Sequence, residues 1–184
     1  MLLLRHGQSY FNLHFSATRR DPGIEDPDLT ELGHAQARQA AEDLADTLIT
    51  RLIISPYTRA LQTAAPFLSR PGIQVEILPQ VRERTAFVCD VGSSPAVLAA
   101  RFPQHDFNHL DERWWGEGRE SEEQTIQRAR TFQAMMRQRA DEASTLLVSH
   151  WGFLLALSGE SVANGTWRSY NPAAPAPAQI VWRP

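Results

Sequence analysis

The sequence predicts an α/β fold in which a mostly parallel β-sheet lies between two layers of helices. Short apolar runs of strand length alternate along the chain with segments whose apolar residues recur every three or four positions. The chain has 184 residues, of which 42% are hydrophobic, enough for one well-filled core and too few for two. We therefore expect a single domain over residues 1–184, arranged as a three-layer sandwich.

The first half of the chain contains three apolar runs of strand length, at residues 2–5, 52–54 and 74–77. A polar loop follows the first run. Apolar residues at helical spacing then predict a helix over residues 31–47, with Thr30 as its N-cap. Pro56 suits the first turn of a further helix that runs to Leu68. The alternation of strands and helices predicts parallel pairing.

The second half begins with an irregular excursion. Periodicity weakens over residues 82–118, where we expect one short helix at 95–102 and an otherwise irregular segment lying over the active site. Ser121 is the predicted cap of a helix that ends near Ala140. The remaining predicted elements are a strand at 145–149, a helix at 152–157 stopped by Gly159, and an edge strand at 179–182. The Pro/Ala-rich stretch 171–178 is either a linker to that strand or the start of a disordered end.

The basic residues exclude several functions. All 18 are Arg, because the sequence contains no Lys. Schiff-base chemistry, pyridoxal phosphate enzymes and the phosphate-binding Walker loop all require Lys and are excluded. The net charge of -3 also argues against a nucleic-acid partner. Any phosphate must be held by Arg.

Cysteine usage and the N-terminus indicate the compartment. Cys89 is the only cysteine, which rules out a disulfide framework and a Cys-based zinc site. The opening apolar run is much shorter than a signal-peptide core or a membrane-spanning helix. We therefore expect a cytoplasmic protein with no membrane association and no bound metal or cofactor.

Three motifs follow predicted strands and carry chemical groups. The first is Arg5-His6-Gly7-Gln8-Ser9 with Asn12, the second runs from Ser55 to Ala64, and the third is Ser149-His150. Since the carboxyl ends of parallel strands meet at one edge of a sheet, these motifs are expected to converge.

Phosphoryl transfer requires an in-line nucleophile and cationic partners for the phosphate oxygens. A neutral imidazole at His6 can act as that nucleophile, and Gly7 lets the backbone approach the phosphate closely. Arg5 and Arg59 offer planar donor forks, while Asn12 adds a neutral donor. These groups predict a phosphate site.

These motifs resemble those of the histidine phosphatase superfamily, also called phosphoglycerate mutase-like. The Arg-His-Gly motif, the Ser-Pro-x-x-Arg-Ala-x-Gln-Thr-Ala motif and the Ser-His pair occur in the family's order and span both ends of the chain. The resemblance implies a phosphoglycerate mutase-like fold and a phosphorylated intermediate on His6. It also implies a phosphate pocket formed by Arg5, Arg59 and His150 with help from Asn12.

The family takes its general acid from the segment after the third strand, where Glu83 is the matching residue and Asp90 is the alternative. Residues 89–115 are similar to a bacterial and plant branch labelled only phosphoglycerate mutase-like, which names no substrate. One departure is that the family commonly has Gly directly after the second histidine, whereas this chain has Trp151. An indole there either narrows the pocket or stacks on a substrate.

The leading hypothesis is a metal-independent phosphatase acting on a small phosphorylated metabolite, with His6 as nucleophile and Glu83 as acid and base. One alternative is a phosphoglycerate mutase, which the resemblance implies would carry longer insertions. The other is an inactive module that binds a phosphate ester or phosphoprotein. Substrate identity and oligomeric state are not predicted. The remaining four histidines are interpreted as ordinary polar residues.

Overall fold

The computed structural model describes residues 1–177 and 179–182. Its strands are β1 (Leu2–Arg5), β2 (Arg51–Ile54), β3 (Gln74–Ile77), β4 (Thr145–Ser149) and β5 (Trp167–Ser169). They form one sheet in the order β3-β2-β4-β1-β5. The first four strands pair in parallel, and β5 is antiparallel to β1. The predicted, mostly parallel sheet is therefore confirmed.

Helices cover both faces of this sheet. They are α1 (Tyr10–Thr18), α2 (Glu31–Asp43), α3 (Thr58–Ala64), α4 (Pro95–Arg101), α5 (Glu122–Met136) and α6 (Trp151–Ser158). On one face, α3 buries Leu61 against Leu52 and Leu146 of the sheet. On the other face, α5 and α6 bury Phe132 and Phe153. They pack against strand residues whose side chains point to that side of the sheet, because successive side chains of a strand alternate between its two faces. The three layers are those that the sequence predicts.

Local signals set the helix ends. Thr30 caps α2 by accepting a hydrogen bond from the Gly33 N–H at 3.1 Å. Ser121 and Gln124 form the predicted capping box of α5. Both helices end four residues before the predicted positions, at residues 43 and 136. The predicted helix after β2 is shorter too, since α3 passes into a 3₁₀ turn at Ala65–Phe67 that contains Pro66.

Two predictions about the chain's periphery are wrong. The polar loop after β1 contains α1, in which Phe11 is the one buried residue, so no apolar stripe marks it. The edge strand is β5 rather than residues 179–182, which form no strand. The chain turns back after α6, and β5 then pairs with β1 in antiparallel register. The free side of β1 is thereby occupied before the tail begins.

The excursion over residues 82–118 contains α4, as predicted, and a 3₁₀ turn at Val88–Asp90. The tail is bound at its beginning, where Arg137 donates hydrogen bonds to the carbonyls of Pro172 and Ala174. Ala178, the last residue of the predicted linker, and residues 183–184 of the predicted domain lie outside the described residues. Within the described part of the chain, no helix is both long and apolar enough to span a membrane.

Candidate active site

The three motifs meet at one edge of the sheet. β4 lies between β1 and β2, and all three run in the same direction. His6, Ser55 and His150 each follow the carboxyl end of one of these strands. The hydrogen bonding between strands continues past their ends: the His6 N–H donates to the Ser149 carbonyl at 3.0 Å, and the Ser55 N–H donates to the Val148 carbonyl at 3.1 Å. Parallel pairing therefore brings together residues that are distant in sequence.

His6 is buried and its tautomer is determined. Nδ1 lies 2.7 Å from the Gly7 carbonyl, which can only accept, so Nδ1 carries the hydrogen. The neutral ring then has its lone pair on Nε2, for which no described residue provides a hydrogen bond. Burial lowers the pKa of His6 well below its ordinary value, and the charges of Arg59 and Arg5 lower it further. The ring is therefore a neutral base with a free nitrogen.

His150 packs against His6, with 5.0 Å between the ring centroids. Its Nδ1 accepts a hydrogen bond from Arg59 Nε at 3.3 Å, and its Nε2 lies 2.7 Å from the Ser55 hydroxyl. Burial lowers the pKa of His150 well below its ordinary value, as do Arg59 and His6. Both ring nitrogens bind protein groups, so direct donation to an anion requires a change of partner.

Arg59 is buried and held from several directions. Nη1 donates to the Cys89 carbonyl at 2.8 Å, and Nη2 pairs with Asp90 Oδ1 at 3.2 Å. The guanidinium also lies over the Tyr57 ring, 4.3 Å from its centroid. These contacts use only part of its donor fork, which leaves N–H groups for an anion. Arg59 is thus a fixed cation beside the two imidazoles.

Arg5 directly precedes His6, and not all of its hydrogen-bond donors have partners among the described residues. Its Nη1 donates to the Val162 carbonyl at 3.0 Å, while the buried Nε has no hydrogen-bond partner among the described residues. Burial lowers the pKa of Arg5 to about 10, a change that Glu83 opposes and Arg59 reinforces. A buried donor without a partner is costly, and an anion would satisfy it.

Glu83 comes from the excursion and lies at the first turn of α6. Its carboxylate accepts hydrogen bonds from the backbone N–H of Arg84 at 2.8 Å and of Gly152 at 3.2 Å. Burial raises the pKa of Glu83, and Asp90 raises it further, while the two backbone N–H groups oppose the change. A carboxyl group with a raised pKa is suited to proton transfer.

Asp90 has a different environment. One oxygen pairs with Arg59, and the other accepts hydrogen bonds from the N–H groups of Ala86 at 2.9 Å and Phe87 at 3.0 Å. Both oxygens of Asp90 are therefore hydrogen-bonded to other groups of the protein. Asp90 is placed to orient Arg59. Glu83, in contrast, is the carboxyl group that lies at the start of α6, the helix that follows His150.

The Gln62-Thr63 pair of the second motif holds neighbouring loops. The Thr63 hydroxyl accepts from the Gly7 N–H at 3.0 Å and donates to the Arg59 carbonyl at 2.7 Å. Gln62 binds the Leu29 N–H at 2.8 Å. A Cβ at Gly7 would lie 2.4 Å from the Gly33 carbonyl oxygen, so two backbones meet where no side chain fits.

Asn12 lies in α1 and is oriented by its neighbours. Its Oδ1 accepts hydrogen bonds from the Ser9 N–H at 3.1 Å and from Asn164 Nδ2 at 3.2 Å, and no described residue binds its Nδ2. Asn164 is a residue that sequence reasoning missed. It lies in the loop between α6 and β5, with no apolar period to mark it, and only the return of the chain brings it beside β1.

Trp151 and Trp114 form contacts with other parts of the protein. Trp151 Nε1 donates to the Ser161 hydroxyl at 2.9 Å, and its ring contacts Trp182 at 6.2 Å between centroids. Trp114 is buried and donates to the Ser93 carbonyl. Arg82, next to Glu83, forms an ion pair with Glu120 at 3.3 Å. Within the described residues, no cluster of three His, Cys, Asp or Glu side chains could hold a metal.

Comparison with known proteins agrees with this geometry. Residues 1–173 match the model of the histidine phosphatase superfamily (branch 1). The chain is 31% identical over 173 residues to a glucosyl-3-phosphoglycerate phosphatase of Mycolicibacterium vanbaalenii, covering 86% of this chain and 72% of that protein. A structure of mycobacterial glucosyl-3-phosphoglycerate phosphatase with VO3 is 26% identical with a TM-score of 0.63, covering 91% of this chain and 88% of that one. The chain belongs to the histidine phosphatase superfamily.

A shorter match concerns a mutase. A 2,3-bisphosphoglycerate-dependent phosphoglycerate mutase of Bartonella tribocorum is 47% identical over 64 residues, which are 35% of this chain and 28% of that enzyme. The longer matches are to phosphatases. The predicted class, a phosphatase with a phosphoglycerate mutase-like α/β fold, is confirmed by the family and by these matches.

Proposed function

We propose that this phosphatase hydrolyses a small phosphate monoester through a phosphohistidine on His6. The observation that carries the proposal is the state of the His6 ring. Its Nδ1–H is fixed on the Gly7 carbonyl, and its Nε2 lone pair is free beside the guanidinium groups of Arg5 and Arg59. A neutral, oriented imidazole next to paired cations is the arrangement that in-line attack on phosphorus requires.

In the first step, Nε2 of His6 attacks phosphorus and forms an N–P bond as the P–O bond to the leaving group breaks. The carboxyl group of Glu83 gives its proton to the departing alkoxide oxygen, so an alcohol leaves. The raised pKa of Glu83 keeps a fraction of this group protonated at higher pH than an ordinary Glu. The products are the alcohol and phosphohistidine.

In the second step, the Glu83 carboxylate takes a proton from water while the water oxygen attacks phosphorus. The N–P bond breaks, phosphate leaves, and His6 recovers its lone pair. Glu83 regains the proton that it lost in the first step, so the cycle is closed. Asp90, held by Arg59 and two backbone N–H groups, is proposed to orient Arg59 rather than to transfer protons.

Arg5 and Arg59 are proposed to bind the phosphate oxygens, together with the free Nδ2 of Asn12. Arg5 Nε supports this role, because no described residue accepts a hydrogen bond from this buried donor and an anion would do so. His150 is proposed to orient Arg59, whose Nε donates to its Nδ1 at 3.3 Å. When an anion draws Arg59 toward it, the neutral tautomer of His150 with its hydrogen on Nδ1 can donate to the same anion, while Nε2 accepts from the Ser55 hydroxyl.

The substrate is proposed to be a phosphorylated metabolite, as for the glucosyl-3-phosphoglycerate phosphatases to which the chain is similar. The 82–118 excursion supplies Glu83 and Asp90, so we assign to it, within a single domain, the surface that contacts the leaving group. A cytoplasmic location stays a prediction from the sequence, in keeping with one buried, unpaired thiol at Cys89.

The test is to trap the intermediate. Protein incubated with a ³²P-labelled phosphate ester and quenched in alkali should carry label that acid releases, the stability expected of phosphohistidine. His6→Ala should lose both label and hydrolysis, whereas His14→Ala, a change at an exposed histidine of α1, should keep both. Label retained in His6→Ala would refute the assignment.

The same preparation separates the alternatives. With a phosphoglycerate as substrate, a phosphatase releases inorganic phosphate, whereas a mutase accumulates the isomer. A binding module shows phosphate-competitive binding with neither label nor product. Release of phosphate with stoichiometric transient label is the result expected here.

A further inference from the structure

The side chain of Asn164 lies against the backbone of His6 and Gly7. Its Nδ2 is 3.1 Å from the carbonyl oxygen of His6, 3.4 Å from that of Gly7 and 3.2 Å from Asn12 Oδ1. All three neighbours are acceptors: two are carbonyls, and Asn12 Oδ1 accepts from the Ser9 N–H. The orientation of the Asn164 amide is therefore determined, with its N–H₂ group facing three oxygens.

Two of these oxygens belong to groups on which the proposed phosphate site depends. The Gly7 carbonyl is the group that holds Nδ1–H of His6 at 2.7 Å and so leaves Nε2 free. Asn12 Oδ1 is the end of that amide that must be fixed if its Nδ2 is to face the phosphate. Asn164 Nδ2 adds a donor to each of these oxygens and so helps to fix its position. The Gly7 carbonyl then has two donors, and Asn12 Oδ1, which also accepts from the N–H and the hydroxyl of Ser9, has three.

The loop that carries Asn164 is itself attached to β1. The Gly165 N–H lies 3.1 Å from the carbonyls of Arg5 and His6, and the Arg5 N–H donates to the Thr166 carbonyl at 3.1 Å. The turn after α6 and the end of β1 thus form one unit. Asn164 is placed by backbone bonds rather than by its own side-chain contacts.

We propose that Asn164 is a positioning residue that sets the tautomer of His6 and the orientation of Asn12. This inference rests on the proposed role of His6 as nucleophile. Asn164 does not contact the reacting atoms. It acts through the Gly7 carbonyl and through Asn12 Oδ1, so its loss should slow phosphorylation of His6 more than it weakens substrate binding.

The test is Asn164→Asp, which preserves shape and replaces the N–H₂ group by an acceptor. At neutral pH the new carboxylate faces three oxygens, and we expect the rate of phosphohistidine formation to fall by about tenfold to a hundredfold. At lower pH the new carboxyl is protonated and donates again, so part of the loss should be recovered. Asn171→Asp is the matched control, since among the described residues the Asn171 side chain forms one hydrogen bond, in which its Oδ1 accepts from the Ala173 N–H.

A second measurement reads the tautomer directly. The ¹⁵N shifts of the His6 ring in wild type should show Nδ1 protonated and Nε2 free, and Asn164→Asp or Asn164→Ala should shift population toward the other tautomer. Asn164 has no positive φ, so Ala is sterically permitted there if Asp prevents folding. A variant that only loses thermal stability, with normal tautomer and phosphorylation rate, would overturn the proposal.

Failure of this inference is distinguishable from failure of the proposed function. If wild-type protein forms no phosphohistidine, the nucleophile assignment is wrong whatever Asn164 does. If wild type forms it and both Asn164 variants form it equally fast, only the positioning role is wrong.

Discussion

The carboxylate of Glu83 lies against the backbone of Gly152, where Oε2 accepts a hydrogen bond from the amide N–H at 3.2 Å. A Cβ on residue 152 would lie 2.5 Å from Glu83 Oε1 and 3.3 Å from the Arg84 Cβ. The family's glycine is commonly one position earlier. Here Trp151 turns its indole toward Ser161 and Trp182, and Gly152 provides the close approach.

Gly152→Ala should therefore displace the proposed acid. Helix propensity alone favours Ala by about 1 kcal/mol, so a loss of activity would have to come from the contact with Glu83. We expect kcat for an alkyl phosphate to fall at least about tenfold. In a Glu83→Gln background the same substitution should lower kcat little further, because the proton transfer is already absent. Equal losses in both backgrounds would show that Gly152 acts through something else.

Glu83→Gln should reveal its role through the leaving group. For alkyl phosphates, whose leaving group needs a proton, kcat/KM should fall by about 10²- to 10⁴-fold. With p-nitrophenyl phosphate the first step needs little acid, so a rapid burst of one equivalent of p-nitrophenol should precede slow turnover. Stopped-flow absorbance measures both phases. Glu122→Gln, at a half-exposed carboxylate 3.5 Å from Arg84, is the matched control and should show neither effect.

Asp90→Asn tests the alternative acid. Asp90 orients Arg59 through a buried pair at 3.2 Å, so its neutralisation should raise KM and the inhibition constant of inorganic phosphate. The ratio of rates for aryl and alkyl phosphates should stay as in wild type, because no proton transfer is lost. A change in that ratio as large as the one in Glu83→Gln would make Asp90 the acid.

The pH dependence of kcat/KM should be bell-shaped with displaced limbs. The acidic limb reports His6, whose pKa burial, Arg59 and Arg5 hold well below the ordinary 6.5. The basic limb reports Glu83, whose pKa burial and Asp90 raise above the ordinary 4.5. Glu83→Gln should remove the basic limb and leave the acidic one. An acidic limb at or above pH 6.5 would contradict the environment described for His6.

Stability should fall in acid because of the same histidines. The folded-state pKa values of His6 and His150 are depressed, so the unfolded chain binds their protons first as pH falls below 6.5. The stabilisation is present above that pH and is lost below it, by roughly 1.4 kcal/mol per pH unit for each histidine. Urea unfolding between pH 7.5 and 5 measures the slope. His150→Gln should remove one histidine's share of this slope.

Sequence patterns were sufficient for elements that carry a strong periodic or capping signal. The capping box at Ser121 and the stop at Gly159 were predicted and are observed. α1 was missed because its exposed Tyr10 and Leu13 give no apolar stripe. The edge position of β5 was also missed, since a short strand with one partner has little burial to mark it. Local signals encode local structure, whereas β5 depends on its long-range pairing with β1.

The sequence by itself determined the chemical groups and their order: a His between an Arg and a Gly, an Arg after the second strand, and a Ser-His pair after the fourth. The proposal that Glu83 rather than Asp90 is the acid, the tautomer of His6 and the role proposed for Asn164 rest only on the tertiary structure. Each depends on which backbone carbonyl or N–H lies within 3.5 Å of a side chain. Glu83 meets Gly152 because the excursion folds back over α6, and Asn164 meets His6 because the chain returns to pair with β1, so no short-range pattern records these contacts.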